Sequence, residues 1–168
     1  SKTIPESLLG RDVCCRAPTG SGKTLAFAIP VVTLSPKAEP KRPPSLILTP
    51  TRELAEQIRG VLKPLAESKG LGVASVYGGT PYKGQLRRLN KGVEILVACP
   101  GRLIDLLQRG ALRLDDVGIV VLDEADRMAD MGFMKPVRSI LDKCREDRQT
   151  ILFSATLDDD VSEIVDSY

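Results

Sequence analysis

APTGSGKT, residues 17–24, is the stretch whose surroundings decide the fold. A short apolar run, Val13 to Cys15, precedes it, and a helical stretch follows. A glycine-bearing loop between a strand and a helix is the context in which backbone N–H groups can wrap a phosphate. Gly20 and Gly22 permit close approach of the backbone. Lys23 can reach the β- and γ-phosphates of a nucleotide, and the Thr24 hydroxyl can ligate Mg²⁺ at the helix N-terminus. Ala17 stands where the strict pattern has glycine. The plainer alternative is a glycine-rich turn in front of a capped helix.

Similar short runs recur at Leu46 to Leu48, Val73 to Val76, Ile95 to Val97, Ile119 to Leu122 and Ile151 to Phe153. With the first, these predict six strands. Between them lie helical stretches; Leu54, Ile58, Val61, Leu62 and Leu65 fall on one face of a 3.6-residue helix. Apolar strands separated by helices imply a mostly parallel sheet covered on both faces, since each crossover helix must bury its stripe there. The expected class is α/β, three layers deep. Ser35 to Ser45, with four prolines and three basic residues, reads as a surface loop, and Leu157 to Tyr168 as a last helix with Asp158, Asp159 and Asp160 at its positive end.

Every predicted strand runs straight into a polar, glycine-bearing or acidic cluster: APTGSGKT, PTREL, YGG, CPGR, DEAD and SAT. The C-terminal ends of parallel strands share one edge, and ligands bind outside it. Six clusters therefore face one site. Asp123, at the end of the run Ile119 to Leu122, stands where a strand-end aspartate holds Mg²⁺ opposite a phosphate loop. Glu124 is suited to orient or deprotonate an attacking water. The bland reading of Asp123, Glu124 and Asp126 is an acidic helix start favoured by the helix dipole.

Composition narrows the chemistry. The 168 residues are 42% hydrophobic and 27% charged, with 24 basic against 22 acidic side chains. That length suits one domain, and a net charge of +2 does not announce nucleic-acid binding, so any such site must be local. No apolar run approaches the ~20 residues of a membrane span. The chain contains no histidine, and Cys14, Cys15, Cys99 and Cys144 have no CxxC spacing. A Cys/His metal site and Ser-His-Asp or Cys-His catalysis are excluded, which leaves carboxylates, lysine, arginine and hydroxyls. Reduced thiols point to an intracellular, cytoplasmic protein, or a nuclear one if eukaryotic. Ser1 opens neither an initiator methionine nor a signal peptide, as an excised piece would.

In order and approximate spacing the six clusters resemble those of DEAD-box RNA helicases, across nearly the whole chain. The resemblance implies a RecA-like P-loop domain over residues 1–168, using ATP and Mg²⁺ in RNA-dependent ATP hydrolysis and local duplex unwinding. It assigns the nucleotide to Ala17, Pro18, Thr19, Gly20, Ser21, Gly22, Lys23 and Thr24, the metal to Thr24 and Asp123, and catalysis to Lys23, Asp123 and Glu124. It assigns the RNA backbone, without sequence readout, to Pro50, Thr51, Arg52, Glu53, Gly78, Gly79, Pro100, Gly101 and Arg102. Asp126, Ser154 and Thr156 become couplers of hydrolysis to strand separation. Residue by residue, plainer readings compete: Thr51 and Arg52 as a helix start, Arg102 as a solvated charge, and Ser154 or Thr156 as a cap on the last helix.

The resemblance further implies an adenine-reading glutamine and an aromatic residue ahead of Ser1. It also implies a second RecA-like lobe beyond Tyr168, supplying arginines to the γ-phosphate. The 168 residues alone are therefore expected to be nearly inactive. Cys99 departs from the family's usual threonine. Lys83, Arg87, Arg88 and Lys91 read as a solvated basic face or an extended RNA track. An ATP-gated RNA clamp without productive unwinding is the alternative function. A small-molecule kinase would explain APTGSGKT and leave PTREL, YGG, CPGR and SAT without purpose.

Overall fold

The computed structural model describes residues 3–18 and 22–168. The described elements follow one another as α1 (Thr3–Leu8), β1 (Val13–Arg16), α2 (Thr24–Leu34), β2 (Ser45–Leu48), α3 (Arg52–Glu67), β3 (Val73–Val76), α4 (Tyr82–Lys91), β4 (Ile95–Ala98), α5 (Pro100–Gln108), β5 (Ile119–Leu122), α6 (Ala125–Asp130), α7 (Met134–Lys143), β6 (Gln149–Ser154) and α8 (Asp159–Ser167). All six strands pair in parallel, in the order β1-β6-β5-β2-β4-β3. Val13 lies beside Ile151, and Ser45 lies between Ile95 and Ile119.

Side chains alternate across a strand, so a continuous apolar run feeds two cores. Leu46, Leu48, Leu96, Val120, Leu122 and Leu152 point to one face, where they meet Leu89 of α4, Leu103 and Leu106 of α5, Ile140 of α7 and Val161 of α8. Ile47, Ile95, Val97, Val121, Ile151 and Phe153 point to the other, against Phe27 and Val31 of α2 and Ile58 and Leu62 of α3. Ile58 and Leu62 are almost wholly buried, and burial of this kind contributes ~1.5–3 kcal/mol per side chain.

All six predicted strands are present; β3 and β5 have the expected bounds and the other four are longer. β6 begins at Gln149 because that amide is buried and donates to the carbonyls of Ser7 and Arg11, 2.8 Å each. Ser45, assigned to the loop by its composition, opens β2; its hydroxyl is satisfied by Ser35 Oγ at 2.6 Å. The rest of that proline-rich segment is folded on itself by an antiparallel bridge between Glu39 and Arg42. The last helix starts at Asp159, and Asp158 caps it by accepting from the Val161 N–H at 3.1 Å. Ser154 and Thr156 therefore do not cap it.

Candidate functional site

Strand order sorts the six clusters along the C-terminal edge of the sheet. APTGSGKT, SAT and DEAD follow the adjacent strands β1, β6 and β5; PTREL, CPGR and YGG follow β2, β4 and β3. Five strand spacings of ~4.8 Å make the edge about 24 Å wide, enough for two ligands side by side. The halves meet between β5 and β2, where the Asp123 N–H donates to the Leu48 carbonyl at 2.9 Å.

In the first half, Lys23 Nζ lies 3.1 Å from Asp123 Oδ1 and 3.9 Å from Glu124 Oε1. Asp123 is 2% exposed and Glu124 4%. The ammonium is at ion-pair distance from Asp123 Oδ1 but is not aligned as a directed hydrogen bond, and that oxygen has no hydrogen-bonding partner. Glu124 Oε2 also lacks one; Arg127 Nη1 stands 3.6 Å away. Burial pushes the Asp123 carboxyl above its ordinary range, against the pull of Lys23. Glu124 occupies the left-handed region at φ 54°, ψ 51°, a conformation costing ~1 kcal/mol, and its carboxylate stands between Lys23 at 3.9 Å and Arg127 at 3.6 Å.

Such buried oxygens want a cation, and the donor set suits Mg²⁺, which takes one or two carboxylates plus phosphate oxygens rather than an all-protein cage. No group of three or more metal-ligating side chains occurs among the described residues. Thr24, half-buried, opens α2 next to Lys23. Ala17 is buried and its N–H donates to the Ser154 carbonyl at 2.9 Å, while Pro18 is exposed and Gly22 has φ +71°. Thr19, Gly20 and Ser21 lie outside the described residues. Ser154 is fully buried; its Oγ accepts the Asp126 N–H at 3.1 Å and donates to the Thr156 carbonyl. SAT thus touches DEAD through a backbone amide, and the side chain of exposed Thr156 stays out of that contact.

In the second half, Thr51 is the N-cap of α3, its Oγ1 accepting from the Leu54 N–H at 3.3 Å. Pro50 is buried; Arg52 and Glu53 are exposed. The Arg52 guanidinium lies over the Tyr77 ring, 5.2 Å from its centroid, spanning β4 to join PTREL to YGG. Gly78 and Gly79 are exposed; Gly79 has φ +82°, and a Cβ there would sit 3.8 Å from Arg52 Nη1. Arg102 is no free charge: Nη1 donates to the Thr80 carbonyl and to Gln85 Oε1, 3.1 Å each, and the guanidinium stacks 4.2 Å from the Tyr82 centroid. Pro100 opens α5 buried, with Gly101 exposed beside it. Cys99 is the N-cap of α5 without a side-chain hydrogen bond, and burial raises its thiol to about 11.

Sequence reasoning missed Glu56. Its Oε1 accepts from Ser75 Oγ at 2.7 Å and Tyr77 OH at 2.9 Å, and Oε2 accepts twice from Arg59, at 3.1 and 2.8 Å. The hydrogen bonds from Arg59, ahead of those from Ser75 and Tyr77, lower its carboxyl to about 2. Gln85, also missed, donates to Thr80 Oγ1 and the Tyr77 carbonyl. Four turns of α3 offer several such carboxylates, and only the i+3 arginine hints at this one.

A wholly parallel sheet with a lysine at the start of α2 held against strand-end carboxylates defines an α/β domain of the P-loop type. More narrowly, the chain belongs to the DEAD/DEAH box helicase family, which it matches over residues 1–164. It is 44% identical over 97% of its length to the DEAD-box ATP-dependent RNA helicase CshA of Streptococcus pneumoniae, of which it covers 31%. Among solved structures it resembles a DEAD box protein from Methanococcus jannaschii (TM-score 0.92, 40% identity, 99% of this chain and 46% of that one). It also resembles the RNA helicase Prp28 from Chaetomium thermophilum bound to ADP (TM-score 0.90, 40% identity, 99% of this chain and 41% of that one). The chain spans about a third of the length of such curated relatives.

Proposed function

We propose that residues 1–168 form one RecA-like lobe, the ATP-binding half of an RNA-dependent ATPase that opens short duplexes when joined to a second lobe. The observation that carries this reading is the sorted edge: a lysine-and-carboxylate half beside an arginine-and-glycine half, sharing the β5–β2 seam. ATP phosphates would lie on the loop 17–24 at the start of α2, where Lys23 exchanges Asp123 for the β- and γ-phosphates. Asp123 and Thr24 would hold Mg²⁺, whose charge offsets that of the phosphates. Glu124 orients the attacking water and takes its proton. Ser154, tied to the Asp126 amide, relays a shift of DEAD to the strand that carries SAT.

RNA would cross the second half, contacting Pro50, Thr51, Arg52, Glu53, Gly78, Gly79, Pro100, Gly101 and Arg102 through phosphate and sugar, without base readout. The four free cysteines suit a reducing, cytoplasmic or nuclear setting. Among the described residues no helix is long and apolar enough to cross a membrane. Turnover needs arginines from the second lobe, and fingers of that kind are worth about 10³–10⁵ in rate. Purified residues 1–168 should therefore release negligible phosphate from ATP, with or without RNA. Joined to the second lobe, they should become RNA-stimulated. Full-rate release by residues 1–168 alone would overturn the two-lobe reading.

A further inference from the structure

α4 carries one sign of charge. Its sequence, YKGQLRRLNK, contains Lys83, Arg87, Arg88 and Lys91 and no acidic residue. None of these four has a carboxylate within ion-pair distance among the described residues. Eight arginines elsewhere each have one, whereas Arg16, Arg52, Arg102 and Arg148 do not; what sets α4 apart is that its four cations share ten positions with no acidic residue. Lys83, Arg87 and Lys91 are exposed and stand at i, i+4 and i+8, one row along the helix. Like charges at i, i+4 destabilise a helix by ~0.2–0.5 kcal/mol per pair; the helix dipole favours Arg88 and Lys91 in the last turn, and no carboxylate among the described residues pairs with the row. In a chain of net charge +2, such a row is a local concentration rather than a general excess.

Its position gives the row a direction. α4 begins just after YGGT at the ligand edge; Tyr82 in its first turn is held between the Arg102 and Arg109 guanidiniums, each 4.2 Å from the ring centroid. Its last turn reaches the opposite edge, where the Lys41 N–H donates to the Leu89 carbonyl. Beside the row, Tyr82, Leu86 and Asn90 complete an open shallow groove. Three cations spaced over about 12 Å of helix can meet up to three phosphates of one strand.

We propose that the Lys83–Arg87–Lys91 row of α4 is a second, outlying RNA-backbone site that takes the strand as it leaves the PTREL–YGG–CPGR half. This rests on the RNA reading of that half. The site would lengthen the bound segment and add salt-sensitive, sequence-independent affinity. It would leave ATP chemistry unchanged.

The test uses the full two-lobed protein with a non-hydrolysable ATP analogue and labelled single-stranded RNAs of about 6 and about 20 nucleotides, read by fluorescence anisotropy over a salt series. In Lys83→Gln/Arg87→Gln/Lys91→Gln, long-RNA affinity should fall by about 10- to 100-fold. The slope of log affinity against log salt should drop by about 2, at ~0.7 per lost phosphate contact. Short-RNA affinity should stay as in wild type, and all three positions are exposed, so unfolding by urea should show no loss of stability and at most the small gain expected from relieving two like-charge pairs. Equal loss on both RNAs, or no loss on either, overturns the outlying site. Loss of poly-glutamate binding with both RNA affinities intact overturns it in favour of an acidic protein partner. Failure of the wild type to bind even the short RNA would instead refute the RNA reading beneath it.

Discussion

Glu56→Gln removes a charge and keeps the shape, so it isolates what the carboxylate contributes beneath the second half of the site. Two independent routes give the magnitude. The fall from an ordinary 4.5 to about 2 converts at ~1.36 kcal/mol per decade to a ceiling of ~3.4 kcal/mol. The side chain is 35% exposed, so solvent screening brings this to ~1–1.5 kcal/mol. By contacts, the amide retains one acceptor for Ser75 and Tyr77 and weakens the doubled bond from Arg59, again ~1–2 kcal/mol. The folded pKa is depressed. The stabilisation is therefore full above about pH 4.5 and is lost as pH falls from there toward 2. Urea unfolding of wild type and variant at pH 7, 4.5 and 3 should give a difference of ~1–1.5 kcal/mol at pH 7 that shrinks steadily with acid. A difference below ~0.3 kcal/mol at pH 7, or one unchanged at pH 3, would refute the assignment of the carboxylate as the anchor of Tyr77 and Arg59.

Cys99→Thr should supply the hydroxyl cap that α5 lacks, raising stability by ~0.5–1 kcal/mol in urea unfolding and tightening RNA binding by the two-lobed protein. Lys23→Met should strip the cation from Asp123 and leave Glu124 only Arg127 at 3.6 Å; a loss of ~2–4 kcal/mol in unfolding and of ATP binding by titration calorimetry is expected.

Faces and edges were legible from residues alone, because apolar runs report which strands are buried on both sides and parallel pairing then gathers their ends. Lateral order was not. Nothing in the chain order β1 to β6 says that Asp123 sits beside Leu48, or that SAT lies between the phosphate loop and DEAD; handed crossovers and packing decide that. Periodicity was also silent on Glu124, whose left-handed backbone is set by the turn from β5 into α6. Contacts such as Arg52 on Tyr77, 25 positions apart and across an intervening strand, are set by the tertiary fold. The competing readings divided: Thr51 does cap α3, whereas Arg102 is bound on three sides and Ser154 faces DEAD.

Phosphate release from ATP by the two-lobed protein, with and without RNA, in wild type and Glu124→Gln, tests the central claim most directly. A nucleotide half coupled to an RNA half predicts that RNA stimulates the wild type and that the substitution abolishes the stimulated rate while ATP still binds. Equal, RNA-independent rates in both proteins would contradict the coupling and the role of Glu124 together.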